Sequence, residues 1–583
     1  MNTRDEPDNG ALLFDVIIIG AGINGSGIAR DAAMRGLSLL LLDKGDVGSG
    51  TSSWSTRLIH GGLRYLEHGE FSLVRESLRE RECLLHIAPH LVRPLRMSVP
   101  IYKGARRGLW TMRAGMLAYD FLSFDKQLPR HRMLSRSETL AQFPGLNPNG
   151  LVGAAVYYDA QVEFAERLVI ENALSAVAHG ATVTTYARVD KLHVDGGAVR
   201  AIEFRDELPG RSPTLGSPAG QPDWGGTVRE GSNGERQSAS ARIVINAAGP
   251  WVDELLLNSV PSSERLIGGT KGSHIIVGAF PGAPARALYV EAETDTRPFF
   301  IIPWNSHYLI GTTDIRYTGA LDHIQIGDDE IDYLLRETNR VIPSAGLTRK
   351  EILYTYSGVR PLPFTGGGDS GNRGHRGDSD ASSITRRHFI RPHPNLDNLF
   401  SIVGGKLTTY RSLAEETVNL IFKKLGRTRE RGHPARNEGG SLCTTAKVPL
   451  PGAETPDFEA FSKDFQQRCG LSELTSDHLL RTYGTRSAEL LKLVEDDPLL
   501  GEVFDAETGA IAAEVVFAFN NELAQTLADC LLRRTMVGLN STCGLAAVEA
   551  AAKIAQTHLD WSDSRAIQET EAYRQEISRR FRG

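Results

Sequence analysis

Three closely spaced glycines follow the first apolar run of the chain. They lie in the sequence Gly-Ala-Gly-Ile-Asn-Gly at residues 20–25, where a helical pattern begins. Gly20 permits a tight turn, Gly22 lets the backbone approach a pyrophosphate, and Gly25 lets helix and strand pack closely. The helix N-terminus offers free N–H groups to phosphates, and Asp43, after the second apolar run, can accept hydrogen bonds from ribose hydroxyls. This context predicts a dinucleotide-binding site.

Three further segments rich in small residues lie far from this motif. Residues 44–53 form a second loop whose backbone and hydroxyl donors can reach the same ligand, and residues 246–251 follow a short apolar strand. Residues 401–406 lead into a helical stretch at 409–423, whose N-terminus can face the edge of a flavin where negative charge develops on reduction. Each of the last two segments alone is also explained as an ordinary turn. Together they favour FAD over NAD, with these cofactor-binding residues: Gly20, Gly22, Gly25, Asp43, Thr51, Ser52, Ser53, Ala248, Gly249, Gly404 and Gly405.

The composition of the whole chain limits the kind of protein it can be. With 583 residues, two or three domains are expected, and 41% hydrophobic with 23% charged residues is typical of a soluble globular protein. A formal net charge of -6 gives no overall positive field, so we expect no nucleic-acid partner. The five cysteines are odd in number and lack a close metal-type pair, which favours free thiols in a reducing compartment and no metal site.

The spacing of apolar residues predicts the elements that position these loops. Residues 14–19 and 37–42 read as buried parallel strands, and the helix predicted between them at 25–35 completes a βαβ unit. Helical spacing recurs near the C-terminus at 487–494, 510–532 and 545–558. The sequence therefore predicts an α/β fold followed by a separate C-terminal α-helical domain.

Shifts in composition give the expected boundaries. A polar leader without the apolar core of a signal peptide covers residues 1–12. Two segments dense in Gly, Ser, Pro, Asp and Arg, at 206–240 and 366–383, are expected to be exposed or disordered insertions. We expect the cofactor-binding region at 13–425, a linker at 426–445 and the helical domain at 446–583.

Long ordered runs allow the chain to be compared with a known family. The run that starts at Thr51 reads TSSWSTRLIHGGLRYLE. Further runs lie at 271–275, 310–314, 356–362, 404–411, 482–484 and 532–535. These runs closely resemble the FAD-dependent glycerol-3-phosphate dehydrogenases. The resemblance implies a fold like that of D-amino-acid and glycine oxidases, in which a Rossmann-like FAD-binding domain (about 13–95, 150–255 and 395–425) is interleaved with an α+β substrate domain (about 96–149 and 256–394).

The same resemblance implies the reaction. Members of the family oxidise sn-glycerol 3-phosphate to dihydroxyacetone phosphate, with the C2 hydride passing to flavin N5 while a base takes the hydroxyl proton. The phosphate carries nearly two negative charges, so the pocket needs fixed cations. The residues that match the family's motifs are the catalytic set His274, Arg360 and Lys406 and the substrate-binding set Arg64, Tyr65, Lys271 and Arg386.

The resemblance also implies positions for these groups. Arg360 and His274 would lie near the C2 hydroxyl, and Arg386 and Arg64 would hold the phosphate. We take His274 as the base, because an ordinary histidine pKa of about 6.5 suits proton uptake at neutral pH. An arginine is a poor base, so Arg360 is expected to stabilise the developing alkoxide.

By the same resemblance, Lys406 and the cofactor-binding residues His60, Gly62 and Thr408 are expected beside the flavin. Lys406 would lie between substrate and flavin, where its charge can stabilise the reduced, anionic cofactor. His60 is interpreted as scaffold next to the cofactor, while catalysis by His60 and covalent attachment of the flavin stay open alternatives.

The electron acceptor follows only from the resemblance. Similar dehydrogenases pass electrons to a membrane quinone, which is our interpretation; an oxygen-dependent oxidase that releases hydrogen peroxide is the alternative. Residues 103–117 are basic on one side and apolar with Trp on the other, which suits either a bilayer interface or an ordinary amphipathic helix of the substrate domain. The basic tail at 579–582 is either a second membrane contact or a frayed end. We expect an enzyme of glycerol metabolism that is bound peripherally to the cytoplasmic face of the inner membrane. A homodimer is one option for its oligomeric state.

Two other classes remain to be distinguished. An amine or amino-acid oxidase on the same fold would place one carboxylate-binding arginine in an apolar pocket, whereas this chain brings several cations together. A flavin-binding module without turnover is conceivable because of the C-terminal helical domain. The clustered cations argue against it, since an idle pocket has no need of them.

Overall fold

The computed structural model describes residues 13–208, 236–260, 263–364, 384–427 and 442–581. The predicted leader, the insertion 366–383, most of the insertion 206–240 and most of the linker lie outside these ranges. No helix within the described ranges is both long enough and apolar enough to cross a membrane.

Strands dominate the first three-quarters of the described chain. They are β1 (Leu13–Ile19), β2 (Leu39–Leu42), β3 (Leu58–Ile59), β4 (Val92–Tyr102), β5 (Arg132–Ser135), β6 (Leu151–Val162), β7 (Thr182–Thr184), β8 (Ala187–Asp195), β9 (Ala198–Asp206), β10 (Gln237–Asn246), β11 (Thr270–Val277), β12 (Ala287–Glu291), β13 (Pro298–Trp304), β14 (His307–Gly311), β15 (Ile315–Arg316), β16 (Ile352–Arg360), β17 (Phe389–His393), β18 (Leu396–Val403), β19 (Val503–Asp505) and β20 (Ala510–Ile511).

Helices cover both sheets and form the C-terminal domain. They are α1 (Ile23–Met34), α2 (Phe71–Ile87), α3 (Leu109–Leu122), α4 (Arg136–Gln142), α5 (Ala165–Ala178), α6 (Val252–Ser259), α7 (Asp328–Val341), α8 (Tyr410–Lys424), α9 (Phe458–Arg468), α10 (Glu473–Tyr483), α11 (Ser487–Asp496), α12 (Ala512–Asn521), α13 (Leu527–Asp529), α14 (Val548–His558) and α15 (Asp563–Arg580).

The first sheet contains the glycine motif. Its order is β17-β18-β10-β1-β2-β7, and the four central strands run parallel, with Ile17 opposite Leu40 on one side and Val244 on the other. Both faces of β1 are buried, because α1, α5 and α8 cover one face while α6 and the β8–β9 hairpin cover the other. The predicted βαβ unit is therefore present, and its helix begins at Ile23 rather than at Gly25.

The second sheet forms the other wall of the molecule. It is largely antiparallel, in the order β15-β11-β14-β13-β12-β4-β6-β3, with β16 paired to β11 and β5 to β6. Helix α7 packs on one face, and α3 with part of the C-terminal domain packs on the other. These two sheets and the helical C-terminal domain confirm the predicted fold class. The domain bounds stay predictions. Strand β6, which the sequence analysis placed in the FAD-binding domain, pairs with β4 in the second sheet.

The C-terminal domain differs from its prediction in two places. The expected helical stretch 510–532 is interrupted after α12, because Leu523 takes a left-handed backbone conformation (φ 60°) and Thr526 caps α13 by accepting the Asp529 N–H at 3.1 Å. The frayed end expected at 579–582 is wrong for its described part. Helix α15 continues to Arg580, and Phe581 is only 5% exposed.

Candidate active site

One cavity of about 950 Å³ lies where β1, β2, β10 and β18 end. Ligands of open α/β sheets bind at this carboxyl edge of the strands. Most predicted site residues line the cavity: Gly20, Gly22, Asp43, Thr51, Ser52, His60, Gly62, Arg64, Tyr65, Ala248, Gly249, His274, Arg360, Arg386, Gly404, Gly405, Lys406 and Thr408. Gly25, Ser53 and Lys271 do not.

The glycine motif brings β1 and β10 unusually close. Gly20 has a φ of +105°, and a Cβ there would lie 2.6 Å from the Ala247 carbonyl oxygen. A Cβ at Gly25 would lie 1.8 Å from the Gly20 carbonyl oxygen, so Gly25 serves the packing of α1 on its own turn. The Ile23 N–H at the start of α1 donates to Ser52 Oγ at 3.0 Å, which ties the second small-residue loop to the helix N-terminus.

Asp43 organises the same turn. Its Oδ2 accepts the Ala21 N–H at 2.6 Å and its Oδ1 accepts the Gly45 N–H at 2.8 Å. Burial raises the pKa of Asp43 to about 6, although these two N–H groups oppose the shift. Each carboxylate oxygen keeps a further lone pair that can accept a ribose hydroxyl.

The last glycine-rich segment closes the cavity opposite this turn. Gly404 has a φ of +77°, and a Cβ there would lie 2.5 Å from the Arg387 carbonyl oxygen. Thr408 Oγ1 accepts the His60 N–H at 3.2 Å, so the segment before α8 holds the predicted scaffold histidine. Burial lowers the pKa of His60 to about 4, which keeps its ring neutral at physiological pH.

A pair of arginines meets at one carboxylate inside the cavity. Asp314 Oδ1 accepts from Arg360 Nη1 at 3.1 Å, and its Oδ2 accepts from Arg386 Nη2 at 2.9 Å. Burial alone would raise the pKa of Asp314, but the two guanidinium groups outweigh it and lower this pKa. Arg386 Nη1 is buried and has no hydrogen-bond partner among the described residues. The cluster therefore keeps a buried donor for an anionic ligand.

Lys406 lies on the other side of Tyr65. Its Nζ is 2.5 Å from Ser77 Oγ and 4.8 Å from the centre of the Tyr65 ring. That ring covers Gly62, where a Cβ would lie 2.1 Å from Tyr65 Cε2. Burial lowers the pKa of Lys406 to about 8, and nearby carboxylates such as Glu76 oppose the shift.

His274 is more enclosed than its sequence suggested. It is 1% exposed, its Nε2 lies 3.0 Å from Thr56 Oγ1, and its ring centre lies 4.8 Å from that of Tyr356. Burial, reinforced by the charge of Arg360, lowers the pKa of His274 well below its ordinary value. The premise of a pKa near 6.5 is therefore wrong, and the imidazole is neutral at physiological pH.

Lys271 lies outside the cavity. Its Nζ contacts Glu330 Oε2 at 2.7 Å and donates to the Gln325 carbonyl oxygen at 2.8 Å. A lysine whose charge is paired with a buried carboxylate adds little to the attraction of a phosphate. The structure therefore assigns Lys271 to holding the segment around Gln325 rather than to substrate.

Sequence reasoning missed two residues of the site. Asp314 ends a run that matches the family, but its two arginines lie 46 and 72 positions away, so nothing in the sequence pairs them. Gly272 gives Arg360 its position, since a Cβ there would lie 2.1 Å from Arg360 Nη2. The sequence feature that could have indicated Gly272 is that it is the one glycine of strand β11, between two motif residues, Lys271 and His274.

Comparisons with known proteins agree with this geometry. A family model described as FAD dependent oxidoreductase matches residues 15–411, and a model of the C-terminal domain of alpha-glycerophosphate oxidase matches residues 443–566. The fold and the cavity thus define an FAD-dependent oxidoreductase with an appended helical domain. The glycine turn, the carboxylate of Asp43 that can bind the ribose, and the cavity volume all fit FAD. FAD is the cofactor of the protein.

Individual relatives narrow the class. A glycerol-3-phosphate dehydrogenase of Synechocystis sp. is 45% identical over 98% of this chain and 97% of that protein. A D-erythritol 1-phosphate dehydrogenase of Brucella abortus is 35% identical over 91% and 95% of the two chains. The X-ray structure of a Bacillus halodurans glycerol-3-phosphate dehydrogenase complexed with FAD matches with a TM-score of 0.72 at 26% identity, over 97% of this chain and 95% of that one. The chain belongs to the family of FAD-dependent glycerol-3-phosphate dehydrogenases.

Proposed function

We propose that the protein oxidises sn-glycerol 3-phosphate at C2 to dihydroxyacetone phosphate and delivers the electrons to a membrane quinone. The observation that carries this proposal is the cationic cluster inside the FAD cavity. Arg360 and Arg386 share Asp314, Arg64 and Lys406 line the same space, and Arg386 keeps a buried donor nitrogen. A phosphate dianion offers several acceptor oxygens and the opposite charge.

The cluster also suggests how the substrate is oriented. Arg386 and Arg64 hold the phosphate, which leaves Arg360, on the strand beside His274, for the C2 oxygen. FAD, held by the Gly20 turn and Asp43, would supply the acceptor for the hydride that leaves C2 when the alcohol becomes a ketone. His274 takes the hydroxyl proton: it is neutral, as a base must be, and a bound phosphate dianion raises its low pKa towards the working range. Arg360 stabilises the developing alkoxide.

The membrane part of the proposal is supported by α3. Its inner face, with Met112 and Met116, is buried, which the alternative of an ordinary amphipathic helix explains. That alternative leaves the outer face unexplained, because Trp110 is 76%, Leu117 59% and Phe121 78% exposed. Exposed aromatic and aliphatic side chains with basic residues nearby suit a bilayer interface, where a quinone dissolves.

The first experiment is anaerobic mixing of the holoenzyme with candidate substrates while the visible absorbance of the flavin is followed. We expect bleaching by sn-glycerol 3-phosphate but not by glycerol or amino acids. Faster bleaching by D-erythritol 1-phosphate would show that the preferred substrate is a longer phosphorylated polyol. Absence of bleaching by any phosphate ester would refute the proposal. Reoxidation by a soluble quinone, without stoichiometric peroxide in air, would distinguish the dehydrogenase from the oxidase.

Sedimentation with anionic vesicles tests the membrane contact. Leu117→Glu should release the protein from vesicles, whereas Leu499→Glu, at an equally exposed leucine (59%) of the C-terminal domain, should not. Equal binding of both variants would show that α3 is not the contact. A homodimer stays a prediction, which light scattering of the purified protein without vesicles can test.

A further inference from the structure

The C-terminal domain reaches the FAD cavity. Glu576, Arg579 and Arg580, near the end of α15, line it together with the glycine motif, which lies more than five hundred residues earlier in the chain. The family match assigns this domain no task, and its helices also pack on the second sheet, on α5 and on each other. The end of α15 is therefore positioned to act on the cofactor site.

The first contact is with Trp54. Phe581 meets the Trp54 ring edge to face at 5.6 Å between ring centres, and the Arg580 guanidinium lies 5.4 Å from the centre of the same ring. Trp54 ends the turn Thr51–Trp54, whose Ser52 holds the start of α1. The Trp54 ring also lies 5.8 Å from the ring of Tyr356, whose centre is 4.8 Å from that of His274. The α15 end thus fixes an aromatic side chain that joins the cofactor turn to the substrate side.

The second contact is with residues 321–325, a segment along the rim of the cavity. The Arg579 carbonyl oxygen accepts from Gln325 Nε2 at 2.7 Å, beside the Gln325 carbonyl that Lys271 holds. Further along the segment, Asp322 pairs with Lys44 at 2.8 Å. Lys44 in turn lies 4.3 Å from the centre of the Trp251 ring, next to the Ala248–Gly249 return. The segment is therefore fastened at both of its ends across the rim.

The third contact lies beneath the cofactor loop. Asp46, fully buried in the loop between Asp43 and Thr51, accepts from Arg533 Nε at 2.5 Å and from Arg534 Nη2 at 2.8 Å. Both arginines belong to a π-helical turn after α13, which lets two neighbouring side chains reach one carboxylate. The domain thus contacts the loop from below and the rim from above.

We propose that the C-terminal domain is a working part of the FAD site: the end of α15 positions Trp54 and holds the 321–325 segment across the cavity, and so retains the cofactor. Arg580 and Phe581 are positioning residues in this arrangement. Their effect is on the release of FAD, whichever substrate the enzyme oxidises. The inference requires only that the protein binds FAD, as its family does, and does not depend on which polyol phosphate is oxidised.

The test compares Arg580→Ala and Phe581→Ala with Arg481→Ala in the full-length holoenzyme. Arg481 also belongs to the C-terminal domain and pairs with a residue of another part of the chain, Glu163, but neither lines the cavity. The rate of FAD release is measured by the rise of free-flavin fluorescence after dilution, and circular dichroism monitors the fold.

We expect about tenfold faster release from Arg580→Ala and from Phe581→Ala, which corresponds to about 1.4 kcal/mol and matches the size of a cation–π or aromatic contact. Arg580→Lys, which keeps the cation, should restore most of the retention, and Arg481→Ala should release FAD as the unaltered protein does. Unchanged FAD release from both Arg580→Ala and Phe581→Ala, or equal acceleration of release in Arg481→Ala, would overturn the proposal.

Discussion

The pH dependence of the enzyme should reveal the charge on Lys406. Burial lowers its pKa from 10.5 to about 8. A lysine is charged below its pKa, so any role of this ammonium group is complete at neutral pH and is lost as the pH rises through about 8. One unit above that value only about a tenth of the side chains remain charged, and the charged fraction then falls tenfold with each further unit. If the charge is needed, kcat/KM should follow this fraction.

The two kinetic profiles should differ in a defined direction. The profile of kcat/KM reports groups of the free enzyme, so its basic limb should lie near pH 8. The profile of kcat reports the complex, in which the substrate's phosphate stabilises the ammonium, so its limb should lie at higher pH. In Lys406→Arg the guanidinium stays charged, and the basic limb should leave the accessible range.

The assay is steady-state oxidation of the substrate with an artificial acceptor from about pH 6 to about pH 10. Lys463→Arg, at a lysine that is 67% exposed in the C-terminal domain, is the matched control and should keep the original profile. A basic limb that persists unchanged in Lys406→Arg would refute the assignment. So would a profile without a limb in the unaltered enzyme.

Three further predictions concern side chains that support the site. Asp314→Asn removes the charge shared by Arg360 and Arg386; the amide nitrogen cannot accept, so one charge-assisted hydrogen bond of about 1.5 to 3 kcal/mol is lost and kcat/KM should fall about 10- to 150-fold at unchanged FAD absorbance. Gly272→Ala would place a Cβ 2.1 Å from Arg360 Nη2; because a flexible side-chain end can move away, we expect a loss of about tenfold or more in kcat/KM with little change in melting temperature. Asp46→Asn leaves two buried arginines without their counter-charge and should cost about 3 to 5 kcal/mol in urea unfolding. Burial raises the pKa of Asp46 but the arginines outweigh it, so this stabilisation is present at neutral pH and is lost only as the pH falls below about 4.

Local pattern was enough for the parts of the fold that follow from backbone chemistry. The βαβ unit was predictable because a glycine-rich turn between two largely apolar strands leaves few other structures. The break at Leu523 was not predictable in this way, since the apolar spacing continues across it. What ends α12 is tertiary: the carboxylate of Glu522 is buried against Arg167 and Arg486.

The candidate site shows the same division. Glycine-rich turns and cations in ordered runs could be assigned to the cavity from the sequence, and most of them do line it. The errors concern electrostatics that only packing reveals. The motif predicts Lys271 as a substrate-binding cation, but its charge is paired with Glu330. The sequence predicts an ordinary pKa for His274, but burial lowers that pKa. A partner distant in the sequence decides whether a charged side chain faces the ligand or another residue.

The carboxylate of Asp314 explains how such a cationic site can exist before substrate arrives. Arg360 and Arg386 would repel each other across a low-dielectric cavity, and Asp314 offsets that repulsion while holding both guanidinium groups in place. In the proposed arrangement Arg386 holds a phosphate that does not change between substrate and transition state, so we expect its contacts to set KM rather than kcat. In the same proposal Arg360 and His274 are the groups that would meet the C2 oxygen, whose charge changes during the reaction. Preference for phosphorylated over free polyols and the rate of oxidation are therefore expected to depend on different arginines of one ion-paired cluster.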